Sequence, residues 1–171
     1  MATAGAWYAG GDSSGANLTL AMMLDLRNTG EITPDAAMLF YGVFDADHAT
    51  ESHRLYGQGD FGLTTARMVW YRDLYLAGDR RNEDNARVSP LRADLSGLPP
   101  LLVTAAGLDP LRDDSVRLAQ KLSTTDTRFD FKTYPGVIHG FMQMASVLPE
   151  AQEAFSDAAA FLQSQKSFRK T

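Results

Sequence analysis

Apolar residues in this chain fall into short blocks and long blocks that alternate, with turn formers between them. Residues 6–9 (AWYA), 36–41 (AAMLFY) and 101–105 (LLVTA) are apolar runs of strand length, the second of them as continuous as a central parallel strand covered on both faces requires. Residues 129–134 (FDFKTY) alternate instead, the pattern of a less buried, edge-like strand. Among the long blocks, residues 17–27 (NLTLAMMLDLR) are apolar on nearly every face, so a helix there is buried on most sides; Asn28, Thr29 and Gly30 end it. Residues 64–76 place Met68, Tyr71, Leu74 and Tyr75 on one helical face, with Thr64 or Thr65 as the cap. Pro110 starts a third helix that carries Leu111, Val116, Ala119 and Leu122 inward. Pro149 opens a fourth with Ala151, Phe155, Ala158 and Leu162 on one face, and the polar tail from Ser164 is expected to fray.

The expected order is therefore strand and helix in turn, at about 6–10, 16–27, 36–41, 64–76, 101–105, 111–122, 129–134 and 149–163. That is the pattern of an α/β fold, a mostly parallel sheet flanked by helices. Between the second and third strands the chain leaves the sheet, at about residues 42–90. The first part of this excursion, 42–62, is polar and turn-rich, and Pro99-Pro100 sets an extended return.

Length changes the picture little: 171 residues suffice for one domain, taken as 1–171, and are too few for two. Hydrophobic residues at 44% and charged residues at 22% describe a soluble globular chain. A net charge of -5 gives no electrostatic reason to expect nucleic acid or an anionic membrane as partner. The absence of cysteine excludes disulfides, thiolate metal sites and a cysteine nucleophile. No stretch reads as a signal peptide or a membrane span, which leaves the cytoplasm as the expected location. His48 and His53 lie among acids, but they are five apart with no helical or hairpin context to fix their directions. No metal and no organic cofactor are expected.

The candidate chemistry begins at Gly11-Asp12-Ser13-Ser14-Gly15, a G-x-S-x-G turn between the first strand and the first helix. Such a turn holds a serine hydroxyl above the end of a sheet. In a parallel sheet, functional groups gather beyond the carboxyl ends of the strands. Ser13, Asp109 and His139 fall there after the first, third and fourth strands, in the chain order of hydrolases of this architecture. A serine hydroxyl needs a neutral imidazole to take its proton, and the imidazole needs a carboxylate to hold its tautomer. Each residue also has a plainer reading. The turn can cap the following helix, Asp109 can cap the helix at Pro110, and His139 can be a hydrogen-bonded loop residue. Order and position together favour a catalytic triad.

These residues carry a family resemblance. Gly11 to Leu18 (GDSSGANL) resembles the nucleophile motif G-D-S-A-G-G-N-L of hormone-sensitive-lipase-type microbial carboxylesterases, with Ser14 and Ala16 replacing Ala and Gly. Asp109 to Asp113 (DPLRD) resembles the motif whose first Asp is the triad acid, and His139-Gly140-Phe141 the motif whose His is the base. The likeness runs from about Trp7 to Leu162 and covers the C-terminal part of such enzymes. It implies a partial α/β-hydrolase fold, in which the N-terminal strands and the glycine-rich H-G-G-G oxyanion loop are absent. It also implies hydrolysis of short-acyl esters by Ser13, His139 and Asp109, with the Ser14 N–H as an oxyanion donor. Phe44, Trp70 and Phe141 are candidate pocket walls. The implied partners are a small-molecule ester and, for the missing half, a complementary N-terminal hydrolase chain or a second copy. Two other readings stay open: a non-catalytic or weakly active fragment, and a deacetylase of acetylated small molecules.

Overall fold

A computed structural model describes residues 5–168. Four strands, β1 (Tyr8–Asp12), β2 (Ala36–Phe40), β3 (Leu101–Leu108) and β4 (Phe129–Ile138), form one sheet in the order β1-β2-β3-β4, with every pairing parallel. Helices α1 (Ser14–Thr29), α4 (Arg112–Leu122) and α5 (Pro149–Phe168) connect or follow the strands. Between β2 and β3 lie α2 (Glu51–Tyr56), α3 (Thr65–Tyr75) and two short 3-10 turns.

Each face of the sheet has its own core. Leu20, Met23 and Leu24 of α1 pack with Leu118 and Leu122 of α4 against Ala37, Leu39, Leu101 and Val103. On the other face, Ala151, Ala154, Ala158 and Phe161 of α5 cover Ala36, Phe40, Leu102 and Ala106. β3 is buried along almost its full length, which is why its sequence is an unbroken apolar run.

The elements match the sequence pattern with instructive differences. β4 continues through Pro135-Gly136 to Ile138, where the sequence suggested an end. A register shift between Ala106 and Leu108 absorbs the proline, and a Cβ on Gly107 would lie 2.2 Å from the Pro135 carbonyl oxygen. Only a glycine there lets the two strands approach, and proline is tolerated because β4 is an edge. Helix α2 was hidden in the polar excursion: with six residues it is too short to show a periodicity. α5 runs on past Ser164 to Phe168, while residues 169–171 lie outside the described part, as do residues 1–4 of the lead-in.

Two expected inward faces are partly wrong. Phe155 is half exposed, and Ala154 and Phe161 take the core positions of α5. Of the apolar face of α3 only Met68 is buried; Tyr71, Leu74 and Tyr75 are exposed. Similarly, Leu18 and Met22 of α1 are exposed although their neighbours are fully buried.

Candidate active site

The site is built at the carboxyl ends of the strands. β1 hands over to α1 at Ser13, whose backbone has φ 54° and ψ -121°, a positive φ that is costly for a residue with a Cβ. The turn is held because the Ser13 N–H continues the β1–β2 ladder, donating to the Phe40 carbonyl at 2.9 Å. A Cβ on Gly11 would lie 2.3 Å from the Gly15 carbonyl carbon, so glycine is required at that position. Gly15 itself has open space, with its nearest atom at 4.0 Å. Asn17, one turn into α1, donates to the carbonyls of Val43 at 2.8 Å and Val88 at 2.9 Å, tying the helix start to both ends of the excursion.

His139 follows β4, with Gly140 in a left-handed conformation behind it. Its Nε2 lies 2.9 Å from Ser13 Oγ and its Nδ1 lies 2.8 Å from Asp109 Oδ2. Asp109 is fully buried after β3. Its other oxygen, Oδ1, accepts from the Leu111 N–H at 2.9 Å. The two readings of this residue are thus compatible: one oxygen caps the turn at Pro110 while the other meets the imidazole. A carboxylate can only accept, so Nδ1 carries the proton and Nε2 is left to accept from the serine hydroxyl. Asp113, the second acid of the DPLRD stretch, is turned elsewhere; it accepts from the Ser52 N–H at 2.8 Å and pairs with Arg112.

A cavity of about 610 Å³ opens beside Ser13 and His139. Most of its remaining wall comes from the excursion: Val43 and Ala46 after β2, Leu63, and Met68, Tyr71 and Tyr75 of α3. Phe44, Trp70 and Phe141, expected as pocket walls, are not among the residues that line it. Phe44 and Phe141 are fully buried in the two cores, and Trp70 is more than half exposed on the outer side of α3. The size of these rings made them candidates; their helix and loop phases send them elsewhere.

The wall between cavity and core rests on Asp114, a buried side chain that sequence reading passed over. Its Oδ2 accepts from the N–H groups of Phe44 at 2.7 Å and Asp45 at 3.1 Å, fixing the chain as it leaves β2. Burial pushes the Asp114 carboxyl up to about 7, against the two N–H donors that favour its charged form. Asp45, also buried, takes Arg92 and Arg117. The two histidines of the excursion pack ring to ring at 5.0 Å. His53 Nδ1 is 2.9 Å from Thr65 Oγ1, while both ring nitrogens of His48 lack a hydrogen-bond partner. Burial, with help from His53 and Arg72, holds His48 down to about 4, so it is neutral near pH 7. Among the described residues no group of three ligating side chains surrounds these rings.

A parallel α/β sheet with a serine on a strained strand-to-helix turn, facing an imidazole at its carboxyl-terminal rim, is the architecture of an α/β hydrolase. Comparison with known proteins agrees. A family described as having the alpha/beta hydrolase fold matches residues 2–143, and the chain belongs to that family. It is 37% identical over 151 residues to an esterase of Acinetobacter venetianus, covering 88% of this chain and 50% of that protein. An acetyl esterase of Salmonella paratyphi B is 36% identical over 160 residues, covering 88% and 47%. The solved structure of a hyperthermophilic esterase from the archaeon Pyrobaculum calidifontis superposes with a TM-score of 0.83 at 34% identity, covering 95% of this chain and 52% of that one. The chain therefore spans about half the length of the curated relatives it matches, and the resemblance to the C-terminal part of a carboxylesterase holds. Among the described residues no helix is long and apolar enough to cross a membrane.

Proposed function

We propose that this chain carries the proton-transfer apparatus of a serine carboxylesterase acting on short-acyl esters, with acetyl esters as the first class to try. The observation that supports it most directly is the unbroken series Ser13 Oγ, His139, Asp109, with contacts of 2.9 and 2.8 Å. Ser13 attacks the ester carbonyl as His139 Nε2 takes its proton, and Asp109 holds the imidazole and offsets the charge it gains. The Ser14 N–H, in the first turn of α1 where helices leave N–H groups unbonded, supports the developing oxyanion. His139 returns the proton to the leaving alkoxide, then repeats the exchange with water to release the acid. The acyl preference rests on the acetyl esterase relative and on the modest cavity.

Full activity, on this reading, needs a complement. Among the described residues β1 has a strand partner on one side only, and Trp7, just before β1, and Met22 of α1 are partly exposed. One further oxyanion donor is worth roughly 3–4 kcal/mol of transition-state stabilisation. A complementary N-terminal hydrolase segment fits this flank; a second copy of the chain is the competing occupant. Incubation of the chain with a fluorophosphonate, followed by peptide mass analysis, tests the core of the proposal. The expected result is an adduct on Ser13 that is lost in His139→Ala. A folded chain whose Ser13 stays unlabelled would refute it.

A further inference from the structure

Four aromatic or imidazole rings stand in a row that ends on the base. Tyr134 of β4 is anchored by its hydroxyl, which donates to Asp157 of α5 at 2.6 Å. Its ring meets Phe141 at 5.2 Å, Phe141 meets Tyr41 at 5.4 Å, and Tyr41 meets the His139 imidazole edge-on at 5.2 Å with 69° between planes. Tyr41, Tyr134 and Phe141 are all essentially inaccessible to solvent. Tyr41 reaches this place by a strained route. It is the residue after β2 and has φ 37°, one of three non-glycine residues with positive φ among those described; Ser13 is another. The strain is held by the Tyr41 N–H, which donates to the Thr104 carbonyl at 2.9 Å and so extends the β2–β3 ladder by one rung. Its hydroxyl donates at a long 3.4 Å to Asp12, beside the nucleophile.

We infer that Tyr41 is a positioning residue for the base: its ring fixes the plane of the His139 imidazole, and its hydroxyl, anchored on Asp12, keeps that ring in place. The inference rests on the catalytic reading of Ser13, His139 and Asp109. Its chemical logic lies in the second half of the reaction. While Ser13 is free, its hydroxyl and Asp109 together orient the imidazole. Once Oγ is acylated, the bond from His139 to the serine hydroxyl is gone, and Asp109 alone would leave the ring free to tilt about one contact. A packed ring edge does not depend on the state of the serine. Edge-to-face ring pairs favour one relative orientation beyond what their buried area supplies, and strain at a residue packed against a reacting group is where a positioning role is expected.

The test reads the imidazole directly, so it does not require turnover. A proton on Nδ1 shared with a buried carboxylate gives a downfield resonance in the NMR spectrum of the full chain, and its exchange with water reports how firmly the ring is held. Wild-type chain, Tyr41→Phe and Tyr41→Asn would be compared, since asparagine tolerates a positive φ. The expected results are a retained signal with several-fold faster exchange in Tyr41→Phe, and a lost signal with at least ten-fold slower fluorophosphonate labelling of Ser13 in Tyr41→Asn. Circular dichroism would report whether the variants keep their fold. Unchanged signal and exchange in both variants would overturn the inference while leaving the triad reading intact. A wild-type chain without the signal would overturn both. Should Tyr41→Asn not fold, Phe141→Leu, which leaves position 41 untouched and removes the ring behind it, decides in the same way: an unshifted exchange rate counts against the inference.

Discussion

The two flanks of the sheet are finished to different degrees. On the β3–β4 flank, strands of eight and ten residues are covered by α4 on one face and α5 on the other, and Tyr134 and Lys132 are clamped onto Asp157. This flank delivers Asp109 and His139. On the β1 flank, a five-residue strand with one paired edge among the described residues delivers Ser13, and Trp7 just before it is partly exposed. The division follows the chemistry. On the proposed mechanism, the groups that would move a proton need fixed contacts at hydrogen-bond range, and Ser13, His139 and Asp109 make such contacts within this chain. Stabilising an oxyanion needs donors arrayed around an empty point, and the one proposed donor, the Ser14 N–H, belongs to the helix that follows β1.

The sharpest way to break that comparison is to remove the charge that fixes the base. Asp109→Asn keeps an oxygen for the Leu111 N–H but offers an amide to His139 and so selects the wrong tautomer. Ser13 labelling by a fluorophosphonate should slow by a factor of about 10⁴, with the circular dichroism spectrum unchanged. A loss of less than ten-fold would mean that the finished flank does no proton transfer.

How much of this was legible in the sequence differs between the flanks in the same way. Near-continuous apolar strands announced the parallel sheet, and the three site residues were placed because each follows a strand end. What pattern could not supply was direction. Leu18 and Met22 read as core because their helix is apolar on nearly every side, yet both are exposed, Leu18 where it lines the cavity. Tyr71 and Leu74 repeat with helical period on an exposed face, since period reports a face and not what covers it. Phe44 and Phe141 looked like pocket walls, but their placement depends on bends after β2 and β4 that no local signal marks. Asp114, Asn17 and Tyr41 act through contacts between distant segments: Asp114 reaches back 70 residues to Phe44. Such contacts leave no periodicity.

Stability measurements extend the comparison at a smaller scale. Leu118 of α4 is fully buried against β3 and the excursion. Leu118→Ala should lower the unfolding free energy by about 2–5 kcal/mol. Met22→Ser on α1, at a partly exposed position, should lower it by only about 1 kcal/mol in the chain alone. The same substitution should weaken capture of a complementary hydrolase segment, if that segment is what the flank receives. Urea titrations with and without the added segment separate the two effects. A Met22→Ser cost in the chain alone as large as that of Leu118→Ala would show that the flank is already covered, by a second copy for instance.

The smallest effect expected is a difference of two opposing pH dependences, both located where the excursion meets the finished core. His48 is held down to about 4 by burial, so below its ordinary value near 6.5 the unfolded chain binds a proton that the fold resists. Its contribution is present above pH 6.5 and is lost as pH falls toward 4. Asp114 runs the other way: burial raises its carboxyl from 3.8 to about 7, so its contribution is present below pH 4 and is lost as pH rises toward 7. The charges facing His48 are His53, Arg72, Asp47 and Asp45, and those facing Asp114 are Asp45 and Arg117. Because the windows coincide, the wild-type curve between pH 4 and 7 should be flatter than either group alone would make it. Single variants uncover the components. The stability gap between wild type and His48→Phe should change in favour of the variant as pH falls from 6.5 to 4.5. The gap for Asp114→Asn should change in favour of the variant as pH rises from 4.5 to 7, since the amide keeps an acceptor for the Phe44 and Asp45 N–H groups and never ionises. Urea midpoints at three pH values suffice; variant and wild-type curves that stay parallel would show that neither side chain titrates differently in the fold.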